Sequence, residues 1–110
     1  MTKTLNGLNL LFNLQKELQH KINIDITSIQ FIRLSFIGLI TEACEALETV
    51  NWKPWKQKQL YNEDEFKKEL IDCWHFLINL SLAAHLTADD VIELYKEKNA
   101  INILRQKNKY

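Results

Sequence analysis

Residues 29–47 read IQFIRLSFIGLITEACEAL, and apolar side chains occupy nearly every side of the helix that this segment predicts. A helix of this kind has to be covered on more than one side. The chain has only 110 residues, so we expect a partner chain to supply part of that cover. We therefore predict an all-α fold, a bundle of about four helices completed by dimerisation or higher assembly.

The residue composition favours the same fold class. Only two glycines and one proline occur, which leaves little material for tight turns or hairpins. Apolar periodicity predicts helices over about residues 5–22, 28–50, 63–85 and 88–106, with one long loop at 51–61 around Pro54. The expected capping residues are Thr27 or Ser28 for the second helix, Asn62 with Glu65 for the third, and Thr87 with Asp90 for the fourth.

Charge and apolar content narrow the class of protein. Lysine plus arginine equals aspartate plus glutamate at 14 each, whereas domains that coat nucleic acid usually carry a basic excess. No apolar run approaches the ~20 residues of a membrane span, and Asn6, Asn9 and Asn13 interrupt the apolar residues near the start. We expect a single cytoplasmic domain over residues 1–110, binding neither nucleic acid nor membrane.

Two pairs of carboxylates stand in apolar surroundings. Glu42 and Glu45 are three residues apart on the second predicted helix, and Glu69 and Asp72 are three apart on the third. Residues at this spacing share one helix face. Burying an ionised carboxylate without a partner is costly, and a bound cation offsets that cost.

The four oxygen donors favour a hard cation, because no cysteine or histidine pair stands at zinc spacing. Mg²⁺ is the expected ion, with Mn²⁺ as an alternative, and Mg²⁺ commonly binds substrate phosphates as well. The competing interpretation is that both pairs are solvated charges on helix surfaces. The spacing alone leaves both interpretations open.

Four segments together resemble the all-α nucleoside triphosphate pyrophosphatases, the superfamily of MazG and the dimeric dUTPases, with the wider match to the dimeric dUTPases. The matching segments are residues 11–19 (LFNLQKELQ), 51–56 (NWKPWK), 69–77 (ELIDCWHFL) and 95–106 (YKEKNAINILRQ), together with the two acidic pairs. The resemblance implies hydrolysis of dUTP, with dUDP as an alternative substrate, to dUMP, and release of pyrophosphate from dUTP. It also implies that Glu42, Glu45, Glu69 and Asp72 hold Mg²⁺, and that Glu42 orients and deprotonates the attacking water.

The resemblance assigns further residues to the nucleotide. Lys98 and Arg105 are seven residues apart on one face of the last helix and are expected to bind phosphates, since arginine can grip phosphate oxygens with two N–H groups. Asn99 and Asn102 are assigned to sugar or phosphate. Without the resemblance, basic residues near a helix C-terminus are explained by the helix dipole alone.

The remaining assignments concern the loop and the first helix. Trp55 is the candidate to stack on the base and Lys56 to reach the phosphates, although tryptophans in such a loop can also serve to pin it to the body of the protein. Gln15 and Gln19 lie four residues apart and offer both donors and acceptors, as uracil requires.

Two alternatives to a dUTP hydrolase remain open at this point. The first is a MazG-like pyrophosphatase with another or broader choice of nucleotide. The second is a non-enzymatic helical interaction module with a vestigial acidic site. Either way, we expect a homodimer or homotetramer.

Overall fold

The computed structural model describes residues 3–57 and 61–108, with side chains from residue 7 onward. These residues form four helices and no strand. The helices are α1 (Lys3–Lys21), α2 (Ile29–Glu48), α3 (Glu63–Ala83) and α4 (Ala88–Lys107). The predicted all-α class is confirmed, and each predicted helix is present with its ends shifted by two residues or fewer. None of the described helices combines the length and apolar content that a membrane crossing requires.

Each of the last three helices begins at a capping residue. Ser28, rather than Thr27, caps α2 by accepting a hydrogen bond from the Phe31 N–H. The side chain of Asn62 accepts from the Glu65 N–H at the start of α3. Thr87 and Asp90 bond to each other's backbone N–H in a complete capping box at the start of α4.

The ends of α1 and α3 share one geometry. At the end of α3, the Leu86 N–H bonds to the Ser81 carbonyl and the His85 N–H to the Leu82 carbonyl. This pair of bonds is the Schellman motif, which requires a left-handed residue at its centre. His85 takes that conformation at φ 63°, and Asn23 takes it after α1 at φ 57°.

Helices α2 and α3 form the main helix–helix interface, and α1 packs against both α3 and α4. Helices α2 and α3 run antiparallel, because position 38 faces Phe76 while Glu42, one turn later, faces Glu69. A small apolar cluster joins α1, α3 and the start of α4; it consists of Phe12, Ile78, Leu82 and Ala88, with Leu8, Ile26 and Val91 packed against them.

Within one chain, α2 is covered on one side only. Ile37 and Ile40 are 59% and 63% exposed, and Ile29, Leu34 and Phe36 are also more than half exposed. The accessible surface is 9016 Å², whereas a compact protein of 13.0 kDa exposes about 6300 Å². The radius of gyration is 17.2 Å, against about 13 Å for a compact domain of this length. The single chain therefore leaves exposed much of the apolar surface that its sequence provides.

Candidate active site

Three carboxylates from α2 and α3 converge between the two helices. Glu42, Glu69 and Asp72 each place one carboxylate oxygen within 4.8 Å of the others. The spacing of three residues puts Glu42 and Glu45 on one face of α2, and that face points at the matching pair on α3. Glu45 is exposed beside this trio, and its negative charge acts on both Glu42 and Glu69.

The surroundings disfavour ionisation of the two half-buried glutamates. Desolvation, reinforced by the charge of Glu45 and by nearby Glu69 and Asp72, raises the pKa of Glu42 to about 7. Desolvation also raises the pKa of Glu69. Without a cation, the cluster therefore holds protons that an isolated carboxylate would have lost.

The donor set fits a divalent cation. The Oε2 atoms of Glu42 and Glu69 are buried and have no hydrogen-bond partner among the described residues. Buried acceptors without partners are rare in proteins, and a bound ion is one of the groups that can satisfy them. Glu42, Glu69 and Asp72 can hold Mg²⁺ or Mn²⁺, because both ions prefer oxygen ligands and keep positions open for water and phosphate.

A pocket of about 600 Å³ adjoins the carboxylates. Asp72 belongs to both the acidic cluster and the pocket wall. Phe31 and Phe76 contribute aromatic rings to the wall, and Ser35 is a buried hydroxyl there. The volume falls within the usual range for small-molecule sites, so one ligand can contact the pocket and the carboxylates together.

A network of amide side chains lies inside the pocket. Asn79 Oδ1 accepts hydrogen bonds from Gln15 Nε2 at 2.7 Å and from Gln19 Nε2 at 3.3 Å. Gln15 Oε1 is 2.9 Å from His75 Nδ1. Gln15, Gln19 and Asn79 are each at most 5% exposed. The structure thus places both predicted glutamines in the pocket wall.

The tryptophan loop is attached to the end of α2. Glu48, which the sequence does not distinguish from a solvated surface charge, accepts from Trp52 Nε1 at 3.1 Å and lies 3.7 Å from Lys53 Nζ. The ring of Trp55 meets that of Trp52 edge to face at 5.7 Å between centroids. Trp52 therefore pins the loop, whereas Trp55 is 69% exposed and Lys56 is exposed beside it.

The predicted phosphate-binding residues of α4 lie on the exposed part of that helix. Ala88 and Val91 anchor the start of α4 in the apolar cluster, and its main helix contacts are with α1. Every residue from 93 to 108 is exposed. The predicted residues are Lys98, Asn99, Asn102 and Arg105, and their assignment to the nucleotide stays a prediction.

Asn79 is the main pocket residue that the sequence analysis missed. It follows Asp72 by seven residues and His75 by four, so all three lie on one face of α3. A buried amide between Ile78 and Leu80 is a recognisable signal, since polar side chains in apolar helix segments need hydrogen-bond partners. Those partners are on α1, and only the fold identifies them.

Comparison of the sequence with known proteins identifies relatives of this chain. The chain is 39% identical over 71 positions to a dCTP pyrophosphatase of Enterobacteria phage LZ5, covering 54% of this chain and 41% of the relative. It is 31% identical over 71 positions to a dCTP pyrophosphatase of Enterobacteria phage T4, covering 54% of this chain and 42% of the relative. The chain thus spans about two fifths of the length of these curated relatives. No solved structure matches it.

The family model described as dUTPase matches residues 7–88, which include α2, α3 and most of α1. This span contains the four carboxylates, the amide network and the tryptophan loop. On this match, the chain belongs to the dUTPase family, within the all-α nucleoside triphosphate pyrophosphatases.

Proposed function

We propose that the protein hydrolyses a deoxypyrimidine nucleoside triphosphate to the monophosphate and pyrophosphate, in a reaction that depends on Mg²⁺. The observation that carries this proposal is that Asp72 is shared between the acidic cluster and the pocket. A nucleotide can therefore place its phosphates at the carboxylates and its base in the pocket.

Glu42, Glu45, Glu69 and Asp72 are the proposed ligands of Mg²⁺, with Mn²⁺ as the alternative ion. When bound by these residues, a divalent cation would neutralise negative charge on the phosphates and on the departing pyrophosphate. Glu42 is the proposed general base that orients and deprotonates the attacking water. The bound cation would favour the ionised form of Glu42, which is the form that can accept a proton.

The substrate is proposed from two separate indications. Resemblance to the dimeric dUTPases favours dUTP as the substrate. The two phage relatives are named dCTP pyrophosphatases, so dCTP is the second candidate substrate. A broader MazG-like choice of nucleotide would appear as release of pyrophosphate from many nucleotides. The proposed location is the cytoplasm.

The test is a pyrophosphate-release assay with dUTP, dCTP and the other common nucleotides, with Mg²⁺ and with a chelator. Glu42→Gln and Asp72→Asn should each lower the rate by a factor on the order of 100 or more, because catalysis here depends on positioned charge. Glu97→Gln, which removes an exposed carboxylate on α4, is the matched control and should retain activity. If no nucleotide yields pyrophosphate, the proposed activity is wrong and a non-enzymatic interaction module becomes the better explanation.

We further propose that the active form is a homodimer or a homotetramer. The chain exposes about 2700 Å² more than a compact protein of its mass, more than a standard interface needs from one partner. An assembly would also allow α4 of one chain to approach the carboxylates of another. Light scattering coupled to size-exclusion chromatography measures the mass directly, and a monomer at micromolar concentration would contradict this part of the proposal.

A further inference from the structure

Glu48 is a carboxylate beside the acidic cluster that the proposed mechanism does not use. It follows Glu45 by three residues, so the two lie on one face of α2. The separation along the helix axis is about 4.5 Å. The side chain of Glu48 is 59% exposed, yet its carboxylate makes specific contacts with the tryptophan loop.

The end of α2 brings the loop back onto this carboxylate. Both the N–H and the hydroxyl of Thr49 donate to the Ala46 carbonyl, at 3.1 and 2.6 Å. Asn51 then takes a left-handed conformation at φ 53°, which asparagine tolerates better than most residues. The chain turns back at this point, and the indole N–H of Trp52 donates to Glu48 Oε1 at 3.1 Å.

One oxygen of Glu48 contacts two neighbouring side chains of the loop. Besides accepting from Trp52, Glu48 Oε1 lies 3.7 Å from Lys53 Nζ. Lys53 Nζ also lies 5.4 Å from the centroid of the Trp52 ring, which is within the range of a cation–π interaction. Glu48, Trp52 and Lys53 thus form a closed set, here called the Glu48 cluster, in which each member contacts the other two.

The Glu48 cluster is more than an ordinary surface ion pair. Isolated ion pairs between exposed side chains contribute little to stability. Here the side chain of Lys53 is only 29% exposed, and the negative charge of Glu48 strengthens its hydrogen bond to the indole of Trp52. The cluster therefore holds the start of the loop against α2.

We propose that Glu48 is a positioning residue for substrate binding, and that its hydrogen bond to Trp52 keeps the loop of residues 51–57 folded against α2. The ring of Trp55 meets that of Trp52 edge to face, so holding Trp52 also orients Trp55. Without Glu48, fewer molecules would hold the loop in the conformation that binds, and the apparent affinity would fall by that fraction. This inference rests on the proposed function, because it takes Trp55 and Lys56 to contact a nucleotide.

The first measurement is equilibrium binding of the α,β-imido analogues of dUTP and dCTP by calorimetry, with Mg²⁺ present. These analogues have an N–H group in place of the oxygen between the α- and β-phosphorus atoms, so the bond that hydrolysis would break stays intact. Glu48→Ala should bind the preferred analogue ~3- to 10-fold more weakly than wild type.

Glu17→Ala is the matched control for the loss of a carboxylate. The side chain of Glu17 is 60% exposed, and it also pairs with a lysine, but that partner is Lys21 on α1. Alanine favours the helix at both positions, so neither variant should lose its fold. The affinity of Glu17→Ala should stay within about twofold of wild type.

Glu48→Gln separates the hydrogen bond from the charge. The glutamine oxygen can still accept from the indole N–H of Trp52, whereas the ion pair with Lys53 is lost. This variant should recover affinity to within about twofold of wild type, because an exposed ion pair contributes little.

The indole N–H resonances of isotope-labelled protein give a readout without any nucleotide. The N–H of Trp52 should exchange with water more slowly than that of Trp55, because Glu48 holds the first while the side chain of Trp55 is 69% exposed. Glu48→Ala should speed exchange at Trp52, and Glu48→Gln should keep it slow.

Binding of Mg²⁺ alone separates positioning from metal ligation. Glu45 is a proposed ligand of the ion, so Glu45→Ala should weaken Mg²⁺ binding. Glu48→Ala should leave it within about twofold of wild type, because an exposed charge at a distance is screened by salt. Equal losses in the two variants would make Glu48 a metal ligand and overturn the inference.

The inference is also overturned if Glu48→Ala binds the analogues as tightly as wild type, if Glu48→Gln is as weak as Glu48→Ala, or if wild type binds neither analogue. Because binding is read without hydrolysis, the proposed activity can fail while the effect of Glu48 remains. Release of pyrophosphate by the wild type, together with unchanged binding by Glu48→Ala, would overturn the inference alone.

Discussion

The ring of Phe76 on α3 occupies the space that a side chain at position 38 of α2 would fill, and Gly38 stands at that position. A Cβ atom there would collide with the ring. This close approach lies between the acidic cluster and the pocket, since Phe76 lines the pocket and Glu42 follows Gly38 by one turn. The glycine therefore sets the separation of the two helices at the site.

The first prediction follows from that contact. Gly38→Ala should lower the free energy of unfolding by about 1–3 kcal/mol, because the ring or the helices must move to admit a methyl group. Chemical denaturation measures the change. Gly7→Ala is the control: it lies in α1 with nothing within 4 Å of the added atom, so it should stabilise the protein by about 0.5–1 kcal/mol. Equal effects of the two substitutions would contradict this account.

The second prediction concerns pH and Mg²⁺. The pKa of Glu42 rises from 4.5 to about 7 in the folded chain, and that of Glu69 moves in the same direction. Between these values the folded protein holds more protons than the unfolded chain, so stability without metal should fall as pH rises from about 4.5 to about 7.

Added Mg²⁺ should reverse this trend, because a cation favours the ionised carboxylates and displaces their protons. The increase in melting temperature caused by Mg²⁺ should therefore be larger at pH 8 than at pH 5. Glu42→Gln should flatten the pH dependence without metal and reduce the effect of Mg²⁺. If Mg²⁺ does not change the melting temperature at either pH, the proposed metal site is wrong.

The third prediction tests the exposed face of α2. Ile37→Lys places a charge on a side chain that is 59% exposed in one chain, so the monomer should tolerate it while an interface would not. The mass measured by light scattering should fall toward 13.0 kDa, and helical circular dichroism should be kept. Asn9→Lys, at an exposed polar position on α1, should leave the assembly intact.

The fourth prediction asks whether α4 acts on another chain's site. Asp72→Asn and Lys98→Ala proteins should each be inactive alone. When the two are unfolded and refolded together, mixed dimers should contain one intact site and recover about a quarter of the wild-type activity. No recovery, although mixed dimers form, would place Lys98 and Asp72 in the same chain's site. Full activity of Lys98→Ala alone would instead remove Lys98 from the site.

The fifth prediction concerns Asn23 and His85, the residues after α1 and α3 whose backbone has a left-handed conformation. His85→Gly should stabilise the protein by about 1 kcal/mol, because histidine pays a steric cost at φ 63° that glycine does not. Asn23→Gly should gain less, because asparagine tolerates this conformation better. Thermal unfolding of the two variants gives the comparison, and a larger gain at position 23 would contradict it.

The sequence by itself determined the helices and most of their ends. Periodicity and capping act between residues a few positions apart, so Thr87 with Asp90 is readable without the fold. The spacing of three residues likewise places Glu42 and Glu45 on one helix face, and Glu69 and Asp72 on another. The expectation that Glu42, Glu69 and Asp72 hold one cation together rested on the family resemblance, because spacing alone left solvated surface charges open.

Only the tertiary structure decided which elements meet. The hydrogen bonds of Gln15 and Gln19 to Asn79 join residues at least 60 positions apart, and no local pattern encodes such a contact. For the same reason, the burial of Gln15 and Gln19 against Asn79 could not be read from spacing. Spacing fixes which side chains share a helix face, whereas packing between helices fixes what that face meets.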